Sequence, residues 1–168
     1  MTGATQTATT TQVYRVYIKA TPQAIWDAIT TPEWSDRYGY GGFVEYDLRP
    51  GGAFRALPSA EMAAHDHVPD VVCDGEVIES DPPRKLVQTW RMLMDADLAA
   101  EGFSRLTYEI EATSDGVTKL TLIHELEGMP QLASLLNGEW EDRGAGGGWA
   151  FVLSGLKTLL ETGESFVH

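Results

Sequence analysis

Between Val44 and Leu126 the chain strings six period-2 segments in a row, joined by mostly short connections. Val44, Tyr46 and Leu48 share one face of the first segment, and Arg49-Pro50-Gly51-Gly52 reads as a tight turn into Ala53–Leu57. After a loop over residues 58–70, Val71–Glu79 and Arg84–Leu93 follow, joined across Ser80-Asp81-Pro82-Pro83, where proline donates nothing to a ladder. Leu106, Tyr108 and Ile110 then alternate with Thr107, Glu109 and Glu111. Ser114-Asp115-Gly116 supplies a hairpin turn, and Leu120, Leu122, His124 and Leu126 line one face of the last strand. Parallel neighbours need crossovers of a dozen or more residues, so the run predicts a mostly antiparallel meander. Such a sheet buries one face and needs a cover.

The cover comes where the period changes. In Gly147–Gly163, Trp149, Val152, Leu153, Leu156, Leu159 and Leu160 recur at helical spacing, with Gly163 as the C-cap. Ahead of the meander, Val13–Lys19 alternates as a further strand. Thr21-Pro22 and Thr31-Pro32 each place a capping hydroxyl before a proline at the first helical position. They predict two short helices, 22–30 and about 32–38, the second ended by Gly39-Tyr40-Gly41-Gly42. Residues 127–146 are acidic and glycine-bearing, with Leu132, Leu135 and Leu136 on a short helical turn. The Thr-rich segment 1–11 has no large apolar group after Met1 and reads as a disordered tail before one domain spanning 12–164.

Charge and composition narrow the function. Twelve Lys and Arg against 25 Asp and Glu give a net charge of −13, and only Arg84-Lys85 are adjacent, so no basic stripe exists to neutralise nucleic-acid phosphates. The same field repels anionic membranes. A single cysteine, Cys73, cannot close an intramolecular disulfide. There is no apolar run of membrane-spanning length and no basic, apolar start of the secretory kind, so a cytoplasmic location is expected.

Ala20-Thr21-Pro22 with Ile25-Trp26-Asp27-Ala28, then Thr31-Pro32-Glu33-Trp34, resemble the opening of the START-like (SRPBCC) superfamily. Gly51-Gly52-Ala53-Phe54, Gly75-Glu76-Val77, Asp81-Pro82-Pro83-Arg84-Lys85-Leu86, Thr89-Trp90, Leu120-Thr121-Leu122 and Gly148-Trp149 continue the likeness in order over about residues 12–163. It is nearest the branch named after the activator of a heat-shock chaperone's ATPase. The resemblance implies an α+β helix-grip fold, a seven-stranded curved antiparallel sheet wrapped around the C-terminal helix, with an internal hydrophobic cavity. It implies no single activity. The eukaryotic chaperone activator carries a separate N-terminal domain without counterpart in this sequence, so chaperone stimulation is not expected.

Within that frame His124 is the sharpest candidate. It shares a face with Leu120 and Leu122, and an inward imidazole either exchanges protons, fixes a ligand or is a satisfied core group. Leu86, Gln88 and Trp90 share a face by alternation, as do Leu106 and Tyr108, and a buried amide such as Gln88 needs a partner. Trp149, Leu153 and Leu156 read as helix-on-sheet packing that doubles as cavity wall, with Tyr38 and Phe54 near the mouth. His65, Asp66, His67, Asp70 and Cys73 match no structural zinc spacing, and the acidic stretch Glu125–Asp142 lacks the pattern of a calcium loop, so no metal or other cofactor is expected. Gly144 and Gly146-Gly147-Gly148 lack the Lys-Ser/Thr of a phosphate loop and read instead as a flexible gate.

The leading expectation is a binding protein for a small hydrophobic or amphipathic ligand (lipid, aromatic or polyketide-like), with His124 and Gln88 as polar anchors. Two alternatives stand beside it. One is a cyclase, dehydratase or hydrolase using His124 with Tyr108 as hydrogen-bond donor, although no nucleophile–base–orienter set is visible. The other is a chaperone-associated stress-response module acting through the acidic surface.

Overall fold

A computed structural model of the chain describes residues 11–143 and 146–166. Most of the Thr-rich tail, and Gly144 of the expected gate, lie outside the described residues. Order begins earlier than the hydropathy suggests: β1 (Thr11–Ile18) includes Thr11 and Gln12 because they pair with Glu125 and His124 at the end of the last strand.

Both threonines stand at the N-cap of a helix in extended conformation, but only one caps it from its side chain. In α1 (Pro22–Thr30) the Thr21 hydroxyl accepts the Ala24 N–H at 3.1 Å. The Thr31 hydroxyl is instead spent backwards on the Asp27 carbonyl at 2.7 Å. Left without a side-chain cap, α2 is the single turn Pro32–Ser35, so Tyr38 lies beyond it rather than on its face. The chain there doubles back, and the Tyr38 hydroxyl donates to the Ala28 carbonyl at 2.9 Å.

The meander runs β2 (Phe43–Tyr46), β3 (Ala53–Leu57), β4 (Cys73–Asp81), β5 (Lys85–Met92), β6 (Ser104–Ala112) and β7 (Thr118–Glu125). With β1 beside β7 the seven-stranded sheet has the order β1-β7-β6-β5-β4-β3-β2, antiparallel throughout. The β4–β5 connection is tighter than the proline pair implies, since Ser80 and Asp81 stay in the ladder opposite Leu86 and Lys85. Two connections hold single helical turns, α3 (Ala60–Ala63) and α4 (Ala96–Ala100). Ser59 caps the first and Asp95 the second by accepting first-turn N–H groups. The first of these lies inside the segment 58–70 expected as loop. Residues directly opposite share a face, so the pairs Trp90–Ser104, Gln88–Leu106, Leu106–His124 and Tyr14–Leu122 put those side chains on one concave surface.

After α5 (Pro130–Leu136) and a 3-10 turn at Glu141–Arg143, α6 (Trp149–Thr162) crosses that concavity. Trp149, Leu153, Leu156 and Leu159 form its buried stripe, and Gly163, left-handed at φ 84°, ends it with its N–H on the Leu159 carbonyl. The far half of the helix is tied to the β1 end: Lys157 donates to the Tyr17 carbonyl at 2.7 Å, and Glu161 accepts the Lys19 N–H at 2.8 Å. The concave face of β2–β4 is therefore left for other segments to cover.

Where α6 starts, backbone meets backbone. Gly148 has φ 75°, and a Cβ there would overlap the Leu136 carbonyl oxygen at the end of α5. Gly148→Ala should therefore cost about 2 kcal/mol or more through left-handed strain and overpacking together. The urea midpoint of the variant measures this, and an unchanged midpoint would mean that α5 and α6 are free to separate.

Candidate functional site

A hollow of about 610 Å³ lies between the β2–β6 part of the concave face and the N-terminal end of α6. That volume falls within the range of small-molecule sites, roughly 300–1,000 Å³. The sheet contributes Val44, Tyr46, Phe54, Ala56, Cys73, Trp90, Met92 and Tyr108. Ile29 and the Tyr38–Gly42 segment close one side, Met94 and Leu98 another, and Leu135, Leu136, Trp140, Trp149 and Val152 the top. Among the described residues, no Asp, Glu, Lys, Arg or His side chain is on this wall.

Tyr40 divides this hollow from a second one of about 630 Å³, a surface cleft bearing Asp36, Arg37, Glu61 and Glu164. Its ring stacks on Phe151 at 5.2 Å, and its hydroxyl accepts the Gly148 N–H at 3.0 Å. Apolar walls and convergent aromatics make the inner hollow the candidate site; the outer cleft is lined by charged side chains.

Of the residues singled out from the sequence, Tyr38, Phe54, Trp90, Tyr108 and Trp149 are on the inner wall, and Gln88, His124, Leu153 and Leu156 are not among its lining residues. The reason is depth, not direction. Gln88 is fully buried, and its side-chain oxygen accepts from the Tyr46 hydroxyl at 2.6 Å, so Tyr46 stands on the wall and Gln88 holds it. Alternation puts Tyr46 with Val44, and its pairing with Phe54 across the Gly51-Gly52 turn is the sequence signal that would have found it. The Tyr40 contact has no such signal.

His124 is likewise fully buried. Trp149 Nε1–H donates to Nδ1 at 3.0 Å, and indole can only donate, so the ring proton sits on Nε2. Nε2–H then donates to Ser104 Oγ at 2.6 Å, and Ser104 donates on to the Trp90 carbonyl at 3.0 Å. The Trp90 ring meets the imidazole edge-on at 5.3 Å. Both ring nitrogens are committed, and burial pulls the imidazole pKa down to about 3, so the ring is neutral near pH 7. The group fastens α6 to β5, β6 and β7.

Other titratable groups at the wall are neutral too. Burial pushes the Tyr38, Tyr46 and Tyr108 phenols and the Cys73 thiol upward. A thiol held protonated is a poor nucleophile. Cys73 sits in β4 facing the hollow, away from the exposed His65 and His67, and among the described residues no group of three His, Cys, Asp or Glu side chains could hold a metal ion. Nor is any helix among them long and apolar enough to cross a membrane.

Comparison with known proteins agrees with this architecture. The profile of the family described as Activator of Hsp90 ATPase homolog 1-like protein matches residues 19–161. No curated protein matches the chain in sequence. Among solved structures, an HSP90 activator from Plasmodium falciparum is 20% identical, with a TM-score of 0.62 over 89% of this chain and 95% of that one. Protein MLL2253 from Mesorhizobium loti is 21% identical, with a TM-score of 0.62 over 89% of this chain and 96% of that one. DynU16, a protein in the dynemicin biosynthetic locus, is 18% identical, with a TM-score of 0.63 over 92% of this chain and 48% of that one. These likenesses establish the START-like helix-grip fold.

Proposed function

The chain belongs to the Activator of Hsp90 ATPase homolog 1-like family, and on that premise we propose that it is a binding protein for a small apolar molecule, held in the hollow beneath the start of α6. The observation that carries this reading is a wall of aromatic and aliphatic side chains around about 610 Å³ to which the described residues bring no charged group. The likeness to a protein of the dynemicin biosynthetic locus is in keeping with a small organic cargo. Tyr38, Phe54, Trp90, Tyr108 and Trp149 touch the ligand, while Gln88 acts through Tyr46 and His124 through Trp149. Catalysis by His124 is disfavoured, because neither nitrogen is free to take or give a proton at the wall.

A ligand burying roughly 300 Å² of apolar surface gains about 7 kcal/mol before the cost of association, so binding in the micromolar range or weaker is expected. Nile red, a neutral apolar dye, should bind saturably at one site per chain and quench indole fluorescence through Trp90 and Trp149. Ala56→Phe should fill the hollow from β3 and weaken the dye at least tenfold without lowering the melting temperature. Failure of Nile red to bind, with no small molecule co-purifying in native mass spectrometry, would overturn the reading.

A further inference from the structure

Granted that the hollow is a ligand site, its hydrogen-bonding groups define the chemistry of what enters. Tyr38 has given its proton to the Ala28 carbonyl, and Tyr46 has given its own to Gln88. Tyr108 has done neither: its hydroxyl has no hydrogen-bond partner among the described residues, although it lines the hollow within electrostatic reach of Tyr38 and Cys73. It is not an enclosed orphan either, since Ser80 Oγ is the only fully enclosed side-chain polar atom without a partner among those residues. The unpaired hydroxyl therefore borders open space in the hollow. On β5, Trp90 also lines the hollow, and its indole N–H, which can only donate, has no acceptor among the described residues.

Among the described residues the wall thus offers donors and no cation. We propose that the ligand is an uncharged polycyclic aromatic molecule bearing a carbonyl-type oxygen, which accepts a hydrogen bond from the Tyr108 hydroxyl. An apolar ring system matches the aromatic lining. A carbonyl oxygen gives the accessible Tyr108 donor a protein–ligand partner once the ligand has displaced water from the hollow. A carboxylate is rejected, because it would enter a low-dielectric site with no positive partner on the wall.

The test uses the whole protein and three probes of one shape: 2-ethylanthracene, 2-acetylanthracene and anthracene-2-carboxylate, titrated by their own fluorescence. The ketone should bind about tenfold tighter than the hydrocarbon, and the carboxylate weakest of the three. Tyr108→Phe should bring the ketone down to the hydrocarbon's affinity and leave the hydrocarbon unchanged, with a melting temperature equal to or above that of the wild type. Equal affinity of ketone and hydrocarbon, tightest binding of the carboxylate, or a uniform loss of all three in Tyr108→Phe overturns the inference while leaving the hollow a ligand site. Binding of none of the three overturns both.

Discussion

Unfolded in urea at pH 6.5 and again at pH 4.5, the protein is expected to lose about 2 kcal/mol of stability through His124 alone. The imidazole is enclosed and neutral in the fold, with its pKa lowered from 6.5 to about 3 by burial. In the unfolded chain it titrates as an ordinary histidine. Between those two values the unfolded state binds about one proton more than the native state, so stability rises with pH across the window. The contribution is complete above pH 6.5 and is lost as the pH falls toward 3, at about 1.4 kcal/mol per pH unit in the steep part. No charged partner among the described residues offsets it: the ring hydrogen-bonds to Ser104 and Trp149 and meets the Trp90 and Trp149 rings edge-on. In His124→Leu the slope between the two pH values should flatten by that amount. The variant should also start about 2–4 kcal/mol less stable, because the Trp149 N–H and the Ser104 hydroxyl lose a buried partner. Parallel decline of wild type and variant would mean that the ring is protonated inside the fold, and the donor from Trp149 could not then be pointing at Nδ1.

That network also marks how far a sequence can be read. Period-2 alternation correctly placed Gln88 and His124 on the concave face, and 3.6 spacing with Gly163 delimited α6 to within two residues at its start. Alternation reports a face, however, and not a layer. Whether an inward group meets a ligand or a neighbouring side chain is decided by contacts that are remote in sequence. For Gln88 the decisive partner, Tyr46, is 42 residues away, and for His124 the partner Trp149 lies across the acidic stretch 127–146 that contains α5. Both polar candidates were legible as buried, while their assignment as ligand anchors was not. Tyr108 is the converse case. The same alternation marks it inward, but its importance lies in a bond it does not make, and only coordinates expose that. The one-turn helices α3 and α4 escaped because a turn shorter than the hydrophobic repeat has no periodicity to read; their signal is the capping Ser59 and Asp95 alone. The overlong α2 has a similar origin, since a threonine before proline does not reveal which of two helices its hydroxyl will serve.

Trp149→Ala should have the largest effect of any single wall substitution, about 3–5 kcal/mol. Its ring is both the top of the hollow and the hydrogen-bond donor to His124 Nδ1. Removing it takes away the packing of α6 on Trp90, whose ring centroid is 6.0 Å away, and leaves Nδ1 without its proton donor. Trp149→Phe separates these terms, because it keeps a ring but not the N–H, and should cost only about 1–3 kcal/mol. A double-mutant cycle of Trp149→Phe with His124→Leu then isolates the hydrogen bond, with a coupling of about 1–2 kcal/mol expected for a buried contact pair. Additivity would show that the indole and imidazole stabilise the fold independently, which their 3.0 Å separation argues against. Function should move the other way. The alanine variant opens the hollow where α6 begins, so bulkier aromatic probes should gain affinity as stability falls. If probe size preference stays fixed while stability drops by the full amount, Trp149 is core alone and the hollow ends short of it.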